Sequence, residues 1–288
     1  MKKTIIITDS NAGITPSQAA SYGIILIPMP FLCNTKTYYE HISLTQKDFY
    51  KKLEDNEDVS TSQPLIGEVL SLWDELLREY DEIVHIPMSS GLSMAYDTAY
   101  MFSQDEKYKD KVHVVNNMRI SVTQRRSVLR ALDLLNQGKE GKEIKSILEN
   151  EALSASIYIT VDTLKYLKKG GRITPAAAMF GSLLGIKPVL QIQGKKLDAF
   201  KKVRGLKAAK KVMVDAVRDD INNRFGGEIE KVYIDIAHSN NEDEALIFLE
   251  EIKKQFPNAK GYYVDNLSLS VACHIGPGAL AVALVKED

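Results

Sequence analysis

The chain has 288 residues, 44% of them hydrophobic and 26% charged, enough to bury a sizeable core in one large domain or two of ordinary size. A net charge of -1 excludes a global pull toward nucleic acid or an anionic membrane, and no run approaches the roughly 20 apolar residues of a membrane span. Asp9 and Asn11 break the N-terminal apolar run too early for a signal-peptide core, and Cys33 and Cys273 lack the spacing of a disulfide framework or zinc site, so a cytoplasmic protein without metal or cofactor is expected.

In chain order, KTIIIT predicts a first strand, Thr15-Pro16 a cap and first helical residue, and GIILIPMPF a buried strand over 23–31. Residues 64–78 place Ile66, Val69, Leu70, Trp73, Leu76 and Leu77 on one helical face, with Pro64 in the first turn. EIVHIP (82–87) and KVHVVN (111–116) are the next strands, with helices near 121–136 and 141–152 to follow. Strands that alternate with helices imply βαβ crossovers and a parallel sheet, whose ligands lie beyond the carboxyl ends of the strands.

After about residue 155 the rhythm changes. SIYITV predicts a strand, DTLKYLKK a helix capped by Asp162 and stopped at Gly170-Gly171, and PAAAMFGSLL (175–184) a helix of small residues. IKPVLQIQ and KLDAFKKVR flank Gly194-Lys195 as a hairpin, an antiparallel signal absent from the first half. KVYIDIA and ALAVALV add strands, with a helix between them at 241–255. The fold class is α/β in two parts: a parallel α/β domain over 1–155 and an α+β domain with a mixed or antiparallel sheet over 156–288.

Chemistry concentrates in a few loops. IPMSSGLSMAYDTA (86–99) contains Gly91-Leu-Ser93-Met-Ala95, one methyl group short of the G-x-S-x-G elbow of serine hydrolases. Three readings stand: a helix cap by Ser89, Ser90 or Ser93, a hydroxyl donor to a bound anion at a helix N-terminus, or a nucleophile. The last needs an acid and a base, and Asp235 with His238 or His274 satisfies the chain order. STSQP (60–64) is a second hydroxyl cluster ahead of a helix, able to converge with Ser93 on one anion. TDSNAG (8–13) is a third loop, where Asp9 would repel an anion and serve the structure or orient neighbours. KKGGRI (168–173) and CHIGPGAL (273–280) set Arg172 and His274 beside glycine turns. Residues 195–211 carry Lys195, Lys196, Lys201, Lys202, Arg204, Lys207, Lys210 and Lys211 against Asp198 alone, either a solvated face or a surface for an acidic or nucleotide-bearing partner. The absence of Walker A, GxGxxG, kinase and helix-turn-helix patterns argues against nucleotide binding by this chain alone and against a nucleic-acid partner.

TDSNAGITP, STSQP, IPMSSGLSMAY, VDTLKYLKKGGRIT, LLGIKPVL, KVRGLKAAKK, AHSNNEDEA and HIGPGALAVA, in this order and across the whole chain, resemble the DegV family of fatty-acid-binding proteins. The resemblance implies a two-domain protein that encloses one long-chain fatty acid between its domains, is not itself an enzyme, and serves as the carrier subunit of fatty acid kinase, a step of phospholipid metabolism. A separate ATP-binding subunit would phosphorylate the bound carboxyl group. Thr61 and Ser93 match the family's carboxylate-binding hydroxyls, His274 the histidine near that carboxylate, and Arg172 and Arg204 arginines of the kinase step or partner docking. Membrane contact would be transient and at the surface. The family's usual GLSGTY reads Gly91-Leu92-Ser93-Met94-Ala95-Tyr96 here, which keeps the serine and sets Met94 near the expected acyl chain. The alternative from the enzyme class is a serine hydrolase that uses Ser93.

Overall fold

A computed structural model describes residues 2–179 and 185–287. β1 (Thr4–Asp9) runs into α1 (Pro16–Tyr22), where Thr15 and Gln18 form a capping box and Pro16 takes the first helical position. β2 (Ile25–Ile27) pairs parallel to β1. The apolar run over 23–31 is not one strand. Pro28 has no N–H to extend the ladder beyond Ile27, and the chain leaves the first sheet to begin β3 (Pro30–Cys33) in another, where Pro30 takes the first position of the strand. There β3 lies between β4 (Lys36–Tyr39) and β5 (Val59–Thr61), both antiparallel to it, with α2 (Gln46–Glu54) packing Phe49, Tyr50 and Leu53 against Phe31 and Val59.

α3 (Ile66–Leu76) buries Val69 and Trp73, and the other apolar residues of its predicted face pack around them. It starts after Leu65, so Pro64 stands just outside the first turn. β6 (Glu82–Ile86), α4 (Ala95–Ser103), β7 (Val112–Val114), α5 (Val122–Asn136) and α6 (Gly141–Asn150) complete this half. Its sheet runs β2-β1-β6-β7, all parallel, so the order reverses between β1 and β6 and their carboxyl-end loops diverge around a crevice.

The second half contributes β8 (Ala155–Thr160), α7 (Lys165–Gly170), α8 (Pro175–Ala178), β9 (Ile186–Ile192), β10 (Leu197–Arg204), α9 (Leu206–Asp219), β11 (Val232–Ser239), α10 (Glu242–Gln255), β12 (Gly261–Asn266), α11 (Leu269–Ile275) and β13 (Ala279–Lys286). The sheet order is β10-β9-β8-β13-β11-β12, antiparallel except for β11 with β12. Asp162 does not cap α7: its carboxylate pairs with Lys187, and Thr163 accepts the Lys165 N–H at 3.1 Å instead. Gly171 ends the helix in the left-handed conformation. Of the helix expected over 175–184, α8 occupies Pro175–Ala178, and residues 180–184 lie outside the described residues.

The period of two divides the large sheet. Tyr158, Ile234, Ile236, Val282 and Leu284 face α9 and α10, where they meet Met213, Val217, Phe248 and Ile252. Ile157, Ile159, Leu190, Ala237, Ala281 and Ala283 face the first half and its Met29, Met88, Ile120 and Val122. α11 packs Leu269, Ala272 and Cys273 onto the three-stranded sheet. Arg126 of α5 reaches Asp235 of β11 with two hydrogen bonds of 2.8 and 2.7 Å and lies over the Tyr233 ring, a buried tie between the halves.

Candidate functional site

In the strand ALAVALV, alternation puts Ala279, Ala281 and Ala283 on one face and Leu280, Val282 and Leu284 on the other. Ala281 lies between Ile159 and Ala237, and Ala283 between Ile157 and Asp235. Methyl groups stand where branched side chains would close the core, and a cavity of about 300 Å³ remains between the large sheet and the first half. Its interior is apolar, lined by Ile157, Ile159, Ile192, Leu197 and Ile275.

The mouth is polar and draws on four separate stretches of chain: Thr61, Ser93, Arg172 and His274 all line it. Thr61 is the last residue of β5, and its Oγ1 lies 2.8 Å from His274 Nε2. Ser93 sits in the turn before α4, where its Oγ accepts the Ala95 N–H at 3.2 Å and keeps its own proton for another acceptor. The turn is closed by the Ser89 hydroxyl, which accepts the Gly91 N–H at 3.2 Å, and by the Ser93 N–H on the Ser89 carbonyl. Gly91 is dictated by close approach: a Cβ there would collide with the Lys195 carbonyl at the tip of the β9–β10 hairpin. Thr98 donates to Gln63 at 3.2 Å and ties the two hydroxyl loops together.

Asp9 holds the same turn from behind. It accepts the Met88 N–H at 2.7 Å, the Asn11 N–H at 3.0 Å and Gln124 Nε2 at 3.2 Å, and burial pushes its carboxyl up to about 6. It is an orienter of the turn.

Burial, helped by Arg172 and Lys169, pushes His274 down to about 4, so its imidazole is neutral at pH 7 and donates from one nitrogen only. Nδ1 is buried without a partner and packs against Gly170, where any side chain would strike the ring. With the ring proton on Nε2, His274 donates to Thr61 and leaves the Thr61 proton for a ligand. Two hydroxyl donors backed by a neutral imidazole suit a carboxylate. Arg172, exposed at the rim with its guanidinium on the Leu92 and Gly170 carbonyls, adds positive charge beside them.

The Ser–His–Asp set is not assembled. Asp235 is taken by Arg126, His238 accepts the Asn241 N–H at 3.3 Å, and His274 is engaged by Thr61, so among the described residues no base is hydrogen-bonded to Ser93. Arg204 lies at the exposed end of β10 beside Gly185 and does not line the cavity. The basic stretch around it is not uniformly a solvated face, because Lys210 is buried between Glu244 and Glu251 at 2.7 and 2.6 Å. Met94 lines the mouth yet is 63% exposed, so most of its surface meets solvent. Asn11, Ser121 and Ser270 also line the cavity and were not anticipated as site residues. Among the described residues no group of three His, Cys, Asp or Glu could hold a metal ion, and no helix is long and apolar enough to cross a membrane.

Residues 3–287 match the model of the DegV family, whose description is "Uncharacterised protein". The chain belongs to the DegV family. Protein DegV of Bacillus subtilis is 31% identical over 281 residues, 96% of this chain and 97% of that protein. The crystal structure of B. subtilis DegV, a fatty acid binding protein, covers both chains fully at 29% identity with a TM-score of 0.86. A Thermus thermophilus DegV family protein with fatty acid binding aligns at 24% identity with a TM-score of 0.90, over 99% of this chain and 100% of that one. A stearic acid-binding protein of Eubacterium ventriosum aligns at 19% identity and 0.85, over 99% and 98% of the two chains. The last two establish the shared fold, and the mixed α/β architecture of DegV proteins extends over the whole chain.

Proposed function

We propose that the chain binds one long-chain fatty acid in the cavity between its two halves, with the carboxylate on Thr61 and Ser93 and the acyl chain over Ile157, Ile159, Ala281 and Ala283. The observation that carries this reading is a cavity with hydroxyl donors at its mouth and an apolar, alanine-floored interior. The fatty acid binding of B. subtilis DegV, the nearest in sequence of the three structures compared above, supports it.

The energetics are favourable. At about 0.8 kcal/mol per methylene withdrawn from water, an acyl chain of roughly 16 carbons gains more than 10 kcal/mol gross. The carboxylate has to leave bulk water, and charged hydrogen bonds from Thr61 and Ser93 at the edge of a helix N-terminus compensate for it.

In this reading the role of the chain is to present the carboxylate to a separate ATP-using kinase subunit in the cytoplasm. Arg172 at the mouth and Arg204 on the basic outer face of β10 are the groups that would meet that subunit and its phosphates. Mass spectrometry of the denatured protein is expected to release stoichiometric fatty acid, and Ser93→Ala to weaken rebinding. Labelling of Ser93 by a fluorophosphonate probe, with no lipid released, would refute the reading. Arg204→Ala is expected to spare lipid binding and to slow acyl phosphate formation in a reconstituted kinase assay; equal loss of binding in both variants would overturn this division.

A further inference from the structure

Ser121 is a cavity-lining residue whose hydroxyl makes no hydrogen bond among the described residues. It is 5% exposed, its Oγ has no hydrogen-bond partner, and although it precedes α5 it makes no side-chain cap there. A buried hydroxyl without a partner is costly and asks for an explanation. Its backbone sits at φ 54 and ψ -137, a conformation that favours glycine, yet a serine stands there.

The surroundings of Ser121 are rich in donors. Its N–H donates to the Asn11 carbonyl at 2.9 Å, which fixes it beside the loop after β1. The Asn11 side-chain oxygen is already taken by the hydroxyls of Ser268 and Ser270, while its Nδ2 has only the Met88 thioether, a weak acceptor, at 2.9 Å. The uncapped first turn of α5 adds its partial positive charge. What this place lacks is an acceptor. Ser270 and His274 are four residues apart on α11, so about 6 Å separates this cluster from the carboxylate end along the helix axis.

We propose that the cavity has a second polar pole at Ser121, Asn11 and Ser270, and that it takes a fatty acid carrying a neutral oxygen, a hydroxyl or a ketone, on its chain. The proposal rests on the fatty-acid reading above and specifies the class of acid. A second carboxylate is disfavoured there, because Asp9 is hydrogen-bonded to the Asn11 N–H and the half-buried Asp265 lies against Gly13 in the same loop. A neutral oxygen accepts from Ser121 and Asn11 without that repulsion.

The test is titration calorimetry of delipidated protein with stearic acid and with positional isomers of hydroxystearic acid. One added hydrogen bond makes at least one isomer bind about tenfold more tightly than stearic acid. Ser121→Gly, which suits the backbone, is expected to bring that ratio to about one while the melting temperature holds or rises. Ser270→Ala is expected to lower the same ratio and reads the pole independently of α5. The proposal fails if stearic acid binds as tightly as every isomer, or if the preference survives in both variants. Failure of stearic acid and all isomers to bind would instead remove the fatty-acid reading beneath it.

Discussion

Ala281→Leu separates a cavity wall from an ordinary core position. Leucine adds three carbons to a residue that lies between Ile159 and Ala237 and faces the cavity. In the ligand-free protein those carbons enter open space, and at about 0.8 kcal/mol each they contribute up to about 2 kcal/mol, less whatever rotamer strain removes. For a chain of this size that raises the melting temperature by roughly 4–8 °C. The same carbons occupy the room of about three methylenes of ligand, so the longest acids lose about 2 kcal/mol, roughly 30-fold in affinity. Chain-length preference therefore shortens while stability rises. Thermal melts of delipidated protein and calorimetry across a series of saturated acids measure the two effects separately. Leu280→Ala, one residue away on the packed face, is the contrast: it costs about 2–5 kcal/mol and leaves length preference alone. A raised melting temperature with unchanged length preference would show that the acyl chain does not cross Ala281. A lowered melting temperature with uniformly weaker binding would show that the residue belongs to the core.

Other perturbations follow from single contacts. Burial pushes Glu40 from 4.5 up to about 7; the folded state then holds a proton the unfolded chain has lost, so stability falls by about 3 kcal/mol as pH rises through that window. Glu40→Gln removes this fall, and the unpartnered Gln46 Oε1 can accept its amide, so urea titrations are expected to show the variant gaining on wild type at pH 8 and not at pH 4; a pH-independent difference would contradict the linkage. Thr61→Val keeps the shape but deletes the hydroxyl on His274 Nε2, and calorimetry is expected to show fatty acid binding weakened about 10- to 100-fold; unchanged affinity would mean the carboxylate lies elsewhere. Gly91→Ala drives a methyl group into the Lys195 carbonyl, with an expected loss of about 1–3 kcal/mol in chemical denaturation; full stability would show that the turn and hairpin are not in register.

Elements with a clear local signal were legible in the sequence: the six apolar residues of α3, the cap at Thr15, and the hairpin around Gly194-Lys195. The three-stranded sheet was not, because strands of three or four residues have no room to show a period, and the apolar run over 23–31 hid the break between β2 of the first sheet and β3 of this one. β12 ends in Asp265 and Asn266, and α11 has only seven residues, so both were missed although α11 carries His274. Thr61, Ser93, Arg172 and His274 announced themselves as hydroxyl or basic residues beside turns, and the fold brings all four to one mouth. Asn11, Ser121 and Ser270 gave no such signal, since a lone hydroxyl or amide near a helix start reads as a cap. The alternation in ALAVALV did hold information, because small residues on one face of a central strand mark missing volume.

That missing volume has a thermodynamic consequence. At about 24 cal/mol per Å³, a cavity of about 300 Å³ costs on the order of 7 kcal/mol relative to a filled core, comparable to the whole stability of an ordinary domain. The fold carries this cost elsewhere: the opposite face of the sheet is packed with Val282, Leu284, Phe248 and Ile252, and Arg126 with Asp235 ties the halves across the gap. A ligand that fills the cavity recovers much of the deficit, and since it binds only the folded chain, stability rises with the logarithm of its concentration over Kd. Packing the alanine face with leucines would make the protein more stable and the cavity useless. The alanines of β13 are therefore best explained by what they leave room for.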